Sequence, residues 1–213
     1  MSSKSVRLSL FVLLAWAPPA FAQNADFEFV PVLGVYSPLT TLRGIVPADS
    51  GTTTVRLTQQ AGPAFGARGT FWLAGPVGLE GSFLYALSDA QVTLGSSAQT
   101  QNAHVWLASG RLVLAFGAQG GPIAFHVNGG LALIGRGGAA YDNVNSTTDL
   151  GGVIGAGASF HLNDRFSIRL DAEDYFYDLD ATLEDPAAGN SLLLRRFQSD
   201  LVLSAGLSFA VGP

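Results

Sequence analysis

The sequence has no cysteine and only one lysine, Lys4, among its 213 residues. The absence of cysteine excludes disulfides, thiol nucleophiles and thiolate metal sites. Charged residues make up 13% of the chain, about half of the roughly 25% that is usual for soluble domains. The hydrophobic content of 48% is too high for a disordered chain. The net charge of −5 argues against a nucleic-acid-binding surface, so we expect no nucleic-acid partner.

Residues 1–22 have the three parts of a secretory signal peptide. Lys4 and Arg7 give a positive start, residues 8–17 form an apolar run, and small residues precede a cleavage point after Ala22. The run is shorter than the roughly 20 apolar residues that a transmembrane helix needs. We therefore expect export through the Sec pathway and removal of this segment.

The expected mature domain covers residues 23–213. Without Lys4 and Arg7 it has nine arginines against 16 acidic residues, a net charge of −7, and no lysine. The absence of lysine excludes a P-loop, a Schiff-base lysine and a Ser–Lys dyad.

Period-two alternation of apolar and polar residues recurs in eight segments bounded by Gly, Pro, Asn or Asp. They are residues 26–36, 64–74, 79–87, 104–116, 122–134, 149–161, 165–178 and 198–211. The gaps between them are alternately long and short, as in a meander with turns at one end and loops at the other. The sequence therefore predicts an all-β fold, a closed antiparallel up-and-down eight-stranded transmembrane β-barrel with periplasmic turns and extracellular loops.

The alternation by itself leaves two environments open for the apolar faces. A soluble barrel turns its apolar face inward, as a lipocalin-like ligand-binding protein would, and a membrane barrel turns it to lipid. Three features favour lipid: the polar faces lack lysine, their charges are few and of both signs, and aromatic residues cluster near the segment ends.

The clustered aromatic residues predict two interfacial girdles. Those near the short gaps are Phe71, Phe116, Phe125, Phe160, Phe166 and Phe209. Those near the long gaps are Tyr36, Phe65, Tyr85, Trp106 and Phe176.

The charged residues of the polar faces predict an ion-pair network in the lumen. They are Glu28, Arg68, Glu80, Arg111, Arg169, Asp171 and Glu173. The side chains of an eight-stranded barrel fill its interior, and leaving one charge there without a partner costs about 3–5 kcal/mol. We therefore expect a plugged lumen, with a charged path through a narrow porin-like channel as the alternative.

The signal peptide, the eight alternating segments and the rhythm of their gaps resemble the OmpA-type outer-membrane β-barrel proteins. The last segment, with Leu203, Leu207 and Phe209, is similar to the terminal signal that the barrel-assembly machinery reads in that family. The resemblance implies a place in the outer membrane of a Gram-negative bacterium. The partners it implies are outer-membrane lipid, lipopolysaccharide and, during insertion, the assembly machinery.

Some eight-stranded barrels modify lipid A, which makes the histidines worth weighing. His126 has Asn128 where a deacylase-like pattern needs serine, and Ser159 with His161 stands at the periplasmic end, away from the outer leaflet. The acidic stretch 171–185 lacks the spacing of an EF-hand calcium loop. Arg43, Arg56, Arg136, Arg195 and Arg196 fall in long gaps, where they could meet lipopolysaccharide phosphates or simply be solvated.

Gly155 and Gly157 are interpreted as strand positions that admit bulky lumen neighbours rather than as part of a nucleotide-binding loop. We therefore expect no catalysis and no cofactor or metal. The expected function is structural or adhesive, carried out by a monomer whose loops contact ligands, phage or host.

Overall fold

The computed structural model describes residues 27–40, 42–48, 51–94, 97–117, 121–141, 147–163, 165–185 and 190–211. The predicted signal peptide, residues 1–22, lies outside the described residues.

The described residues form twelve strands. In chain order they are β1 Phe27–Pro38, β2 Leu42–Ala48, β3 Gly51–Gln59, β4 Gly62–Ala74, β5 Val77–Leu87, β6 Ala90–Leu94, β7 Ser97–Gln101, β8 His104–Phe116, β9 Ile123–Gly137, β10 Thr148–His161, β11 Phe166–Asp185 and β12 Asn190–Val211. A 3-10 turn, Ala139–Tyr141, follows β9. No helix among the described residues is long and apolar enough to cross a membrane.

Eight of these strands close into a barrel in the order β1-β12-β11-β10-β9-β8-β5-β4. Every pairing is antiparallel, and β1 closes the barrel by pairing with both β12 and β4. The barrel strands correspond to the eight predicted segments, and the eight-stranded fold class is confirmed.

The connections differ at the two ends of the barrel. At the short-turn end, Gly75 and Pro76 join β4 to β5, and Gly75 has a φ of +53°, which favours glycine. Between β10 and β11 the Oδ1 atom of Asn163 accepts hydrogen bonds from the backbone N–H groups of Arg165 and Phe166. The opposite end, here called the loop end, has the long connections.

The prediction that the long gaps are loops is wrong for much of their length. β2 and β3 lie in the first long gap, β6 and β7 lie in the second, and together they form a separate sheet in the order β2-β3-β6-β7. β11 and β12 also pair beyond the predicted segments, up to Asp185 and Asn190. These parts project past the hydrocarbon, which a strand of about 9–11 residues spans.

Side-chain burial alternates along the barrel strands with period two. In β8, Arg111 is 3% exposed and Val113 is 1% exposed, while Leu112 and Leu114 are 55% and 42% exposed. The apolar faces therefore point out of the barrel and the charged residues point into it. This arrangement is the reverse of a lipocalin-like barrel and excludes that alternative.

Candidate functional site: the barrel interior

Six of the seven residues predicted for the lumen network form a closed ring of alternating charges. Arg68 contacts Asp171 at 2.8 Å and Glu173 at 3.0 Å, and Arg169 contacts Glu80 at 2.6 Å and Asp171 at 3.1 Å. Arg111 completes the ring through Glu80 and Glu173. Each arginine thus bridges two carboxylates, and each carboxylate bridges two arginines. The side chains are 0–2% exposed, so each charge is compensated inside the barrel.

Side chains outside this ionic ring take up further hydrogen-bonding capacity of its charged groups. The hydroxyl of Thr70 donates to Glu80 at 2.7 Å, and the hydroxyl of Ser204 accepts from Arg68 at 2.9 Å. His126 Nε2 lies 2.7 Å from Asp171 Oδ1. Sequence reasoning missed these partners because nothing in their spacing marks them.

Glu28 lies outside the ionic ring, contrary to the prediction. Its carboxylate accepts a hydrogen bond from the indole N–H of Trp72 at 3.1 Å and another from the hydroxyl of Ser208. Glu28 is the second residue of β1, at the short-turn end, and this position places it below the ring.

Toward the loop end the interior becomes apolar. Inward-facing residues farther from the ring pack into one cluster, which includes Leu84, Leu107, Ile134, Val153 and Val202. The lumen is therefore layered, with a charged ring below and an apolar layer above. The sequence analysis predicted only the charged part.

A second polar group, here called the loop-end cluster, lies above the apolar layer. Arg136 Nη1 contacts Asp149 Oδ2 at 2.7 Å, and the guanidinium of Arg136 lies 4.8 Å from the centre of the Tyr177 ring. The hydroxyl of Tyr177 donates to Asp200 at 2.7 Å. Arg136 is 6% exposed, so its interpretation as a loop residue is wrong. β9 continues to Gly137, and its alternation places Arg136 on the inward face. The sequence analysis missed this signal.

At the loop end, Tyr141 in the 3-10 turn donates a hydrogen bond to Gln59 at 2.8 Å. Burial raises the pKa of Tyr141 to about 12. Ala90, Ala103 and Tyr141 pack together and join the loop-end sheet to the barrel.

Ten of the eleven predicted girdle residues lie on the outer face of the barrel. Phe71, Phe116 and Phe125 are 51%, 54% and 59% exposed, and Phe166 packs edge-on against Phe209. Tyr36 is only 1% exposed and belongs to the interior apolar layer, so its place in the girdle is wrong. It shares the inward face of β1 with Val30 and Val32.

Glycines on the inner wall make room for the ionic ring. A Cβ on Gly157 would lie 2.5 Å from His126 Nε2, and a Cβ on Gly155 would lie 3.0 Å from the Glu173 side chain. The interpretation of these glycines as positions that admit bulky lumen neighbours is confirmed.

The residues weighed for catalysis do not assemble into a catalytic group. Ser159 and His161 both line a cavity at the short-turn end, and His104 lies at the loop end, where it stacks on Tyr85. Among the described residues, no side-chain hydrogen bond joins a serine to a histidine, and no three His, Asp or Glu side chains are placed to hold a metal. The predicted loop arginines whose side chains fall outside the described part of the structure are Arg43, Arg56, Arg195 and Arg196.

Comparison with known proteins places this barrel in a family. Residues 8–209 match the family model of the outer membrane protein beta-barrel domain. The chain belongs to this family. As an outer-membrane barrel of Gram-negative type, it presents its apolar outer face to lipid.

Solved structures share the fold of this outer-membrane barrel. The outer membrane protein OprG from Pseudomonas aeruginosa superposes with a TM-score of 0.71 at 13% identity, over 89% of this chain and 97% of OprG. The outer membrane protein AlkL, solved in DMPC bilayers, gives 0.56 at 12% identity, covering 89% and 90%. Neisserial surface protein A gives 0.51 at 10% identity, covering 88% and 99%. A search of curated protein sequences finds no match.

Proposed function

We propose that this outer-membrane protein is an occluded barrel with a structural and surface-interaction function and no catalytic activity. The ionic ring is the observation that carries this proposal. Its six charged side chains extend into the interior from β4, β5, β8 and β11. They shield one another from solvent almost completely.

The two layers above the ring support occlusion. An ion crossing the barrel would lose most of its hydration shell at the apolar layer, whose described lining is mainly aliphatic. It would then meet the Arg136–Asp149 pair of the loop-end cluster. Three successive barriers of different chemistry are typical of a filled barrel rather than a pore.

The surface role rests on the sheet formed by β2, β3, β6 and β7 at the loop end. Its exposed described side chains include Gln99, Thr100 and Gln101 of the edge strand β7. Neutral amides and hydroxyls of this kind suit contacts with other molecules at the cell surface. We propose that this end is extracellular and that the protein is a monomer in contact with lipopolysaccharide.

Conductance in planar lipid bilayers tests the occlusion. We expect the wild-type barrel to show no steady ion current. Replacing both Arg169 and Glu80 by alanine removes one link of the ring without leaving a net charge, and we expect brief current steps from this variant. Leu112→Ala on the outer face is the control and should stay silent. A steady current through the wild-type protein would contradict the proposal.

A further inference from the structure

A cavity of about 490 Å³ opens at the short-turn end of the barrel, below the ionic ring. Its wall includes the side chains of Trp72, His126, Ser159, His161, Arg165 and Ser167. We call it the short-turn vestibule. The vestibule has no part in the proposed occlusion, because the ionic ring closes the barrel between the vestibule and the loop end.

The chemistry of the short-turn vestibule is asymmetric. Four of its lining residues are basic, namely His126, His161, Arg165 and Arg169, and Glu28 is the one acidic residue among them. The carboxylate of Glu28 is already engaged by Trp72 and Ser208. Arg169 and His126 are likewise engaged, by Glu80 and Asp171 of the ring. The described lining therefore offers a guest the guanidinium of Arg165, the imidazole of His161 and serine hydroxyls, but little further negative charge.

His126 gives the vestibule a built polar contact point. It is 5% exposed, and its Nε2 atom is held 2.7 Å from Asp171 Oδ1, which fixes the ring orientation. Its Nδ1 atom has no hydrogen-bond partner among the described residues. Ser159 stands on the neighbouring strand, one inward position beyond Gly157, which pairs with His126.

We propose that the short-turn vestibule binds a phosphate group. A phosphate presents charged acceptor oxygens, which suit Arg165, His161 and the serine hydroxyls, and it can either accept from His126 Nδ1 or donate to it through a protonated oxygen. Arginine at the rim suits planar two-point contact with such oxygens. The phosphate comes either free from solution or from a lipid headgroup of the adjoining leaflet.

The test uses Trp72 as a reporter within the vestibule. In a Trp106→Phe background, the purified barrel in a maltoside detergent is titrated with inorganic phosphate, and chloride is the comparison anion at equal ionic strength. We expect a saturable change in Trp72 emission with phosphate and none with chloride. The double variant His161→Gln/Arg165→Gln should raise the dissociation constant about tenfold, which corresponds to about 1.4 kcal/mol.

His104→Gln is the matched control, because His104 stacks on Tyr85 at the opposite end of the barrel. It should leave the dissociation constant unchanged. A second arm compares nanodiscs of phosphatidylcholine with and without phosphatidic acid in phosphate-free buffer. Saturation in solution alone identifies free phosphate, and a response to phosphatidic acid identifies a lipid headgroup.

Either source supports the site, provided that the double variant weakens the response. The proposal is overturned by no response in both arms, by an equal response to chloride, or by an unchanged dissociation constant in the double variant. The double variant must first retain the heat-dependent gel shift of a folded barrel. Both substituted residues lie at the exposed rim, where folding does not depend on them.

Discussion

At the scale of single residues, the buried charges of the barrel interior are tolerated because each has a partner of opposite charge. Asp171 accepts contacts from Arg68, Arg169 and His126 together. Removing one partner of a buried pair leaves the other uncompensated, whereas a neutral pair of the same shape costs little. The ionic ring therefore makes each of its members sensitive to substitution.

Arg169→Met tests this dependence. The substitution leaves Glu80 and Asp171 with one cation fewer each, so we expect a loss of about 3–5 kcal/mol in the free energy of unfolding. Urea unfolding in lipid vesicles, followed by tryptophan emission, measures it. Arg165→Met in the exposed turn should change stability by no more than about 0.5 kcal/mol. Equal losses in the two variants would contradict the ring.

The inner and outer faces of the wall should respond differently to added volume. Gly157→Ala places a methyl group against His126 and the Leu170 carbonyl, and we expect a loss of about 1–3 kcal/mol. Gly81→Ala on the outer face meets nothing within 4 Å and should be neutral or slightly stabilising. The same unfolding measurement compares them, and a larger loss from Gly81→Ala would reverse the assigned faces.

At the scale of elements, the strands of the barrel and those of the loop-end sheet are stabilised by different surroundings. Barrel strands have one face in lipid and one in a packed interior. β6 lies between β3 and β7 in the loop-end sheet, outside the barrel, and pairs with both through its backbone. The two sheets should therefore unfold separately.

Thr93→Pro in β6 should open the loop-end sheet and spare the barrel. Proline removes a backbone donor from a central strand. We expect faster tryptic cleavage at Arg56, which pairs with Thr93 across β3 and β6, with an unchanged heat-dependent gel shift of the barrel. Thr100→Pro in the edge strand β7 is the milder control. Loss of the gel shift in Thr93→Pro would show that the two sheets fold as one unit.

At the scale of the whole molecule, the barrel separates a lipid-facing surface from a filled interior. Trp106 lies on the outer face near the loop end, and Trp72 lies inside and bonds to Glu28. The expected mature domain, residues 23–213, lacks Trp16 and has only these two tryptophans, which therefore report on the lipid side and the interior side of the barrel wall.

Brominated lipids should distinguish them. We expect quenching of Trp106 in a Trp72→Phe variant, because the quencher reaches it through the acyl chains. Trp72 in a Trp106→Phe variant should resist brominated lipid yet respond to acrylamide, which enters the short-turn vestibule from water. Strong lipid quenching of Trp72 would refute the inward assignment.

The sequence by itself determined the features that depend on local periodicity. Alternation with period two gave eight barrel strands and the face of most residues, since neighbouring side chains of a strand must point to opposite sides. It also selected all six ring members, together with Glu28, because a charge facing a narrow interior needs a partner.

Only the tertiary structure determined which interior side chains contact one another. Strand stagger left Glu28 below the ring and brought His126 to Asp171, and no spacing in the chain encodes that offset. The burial of Arg136 depends on how far β9 extends, since the predicted segment ended at residue 134. The loop-end sheet escaped detection because its strands, of five to nine residues, are too short for their alternation to stand out.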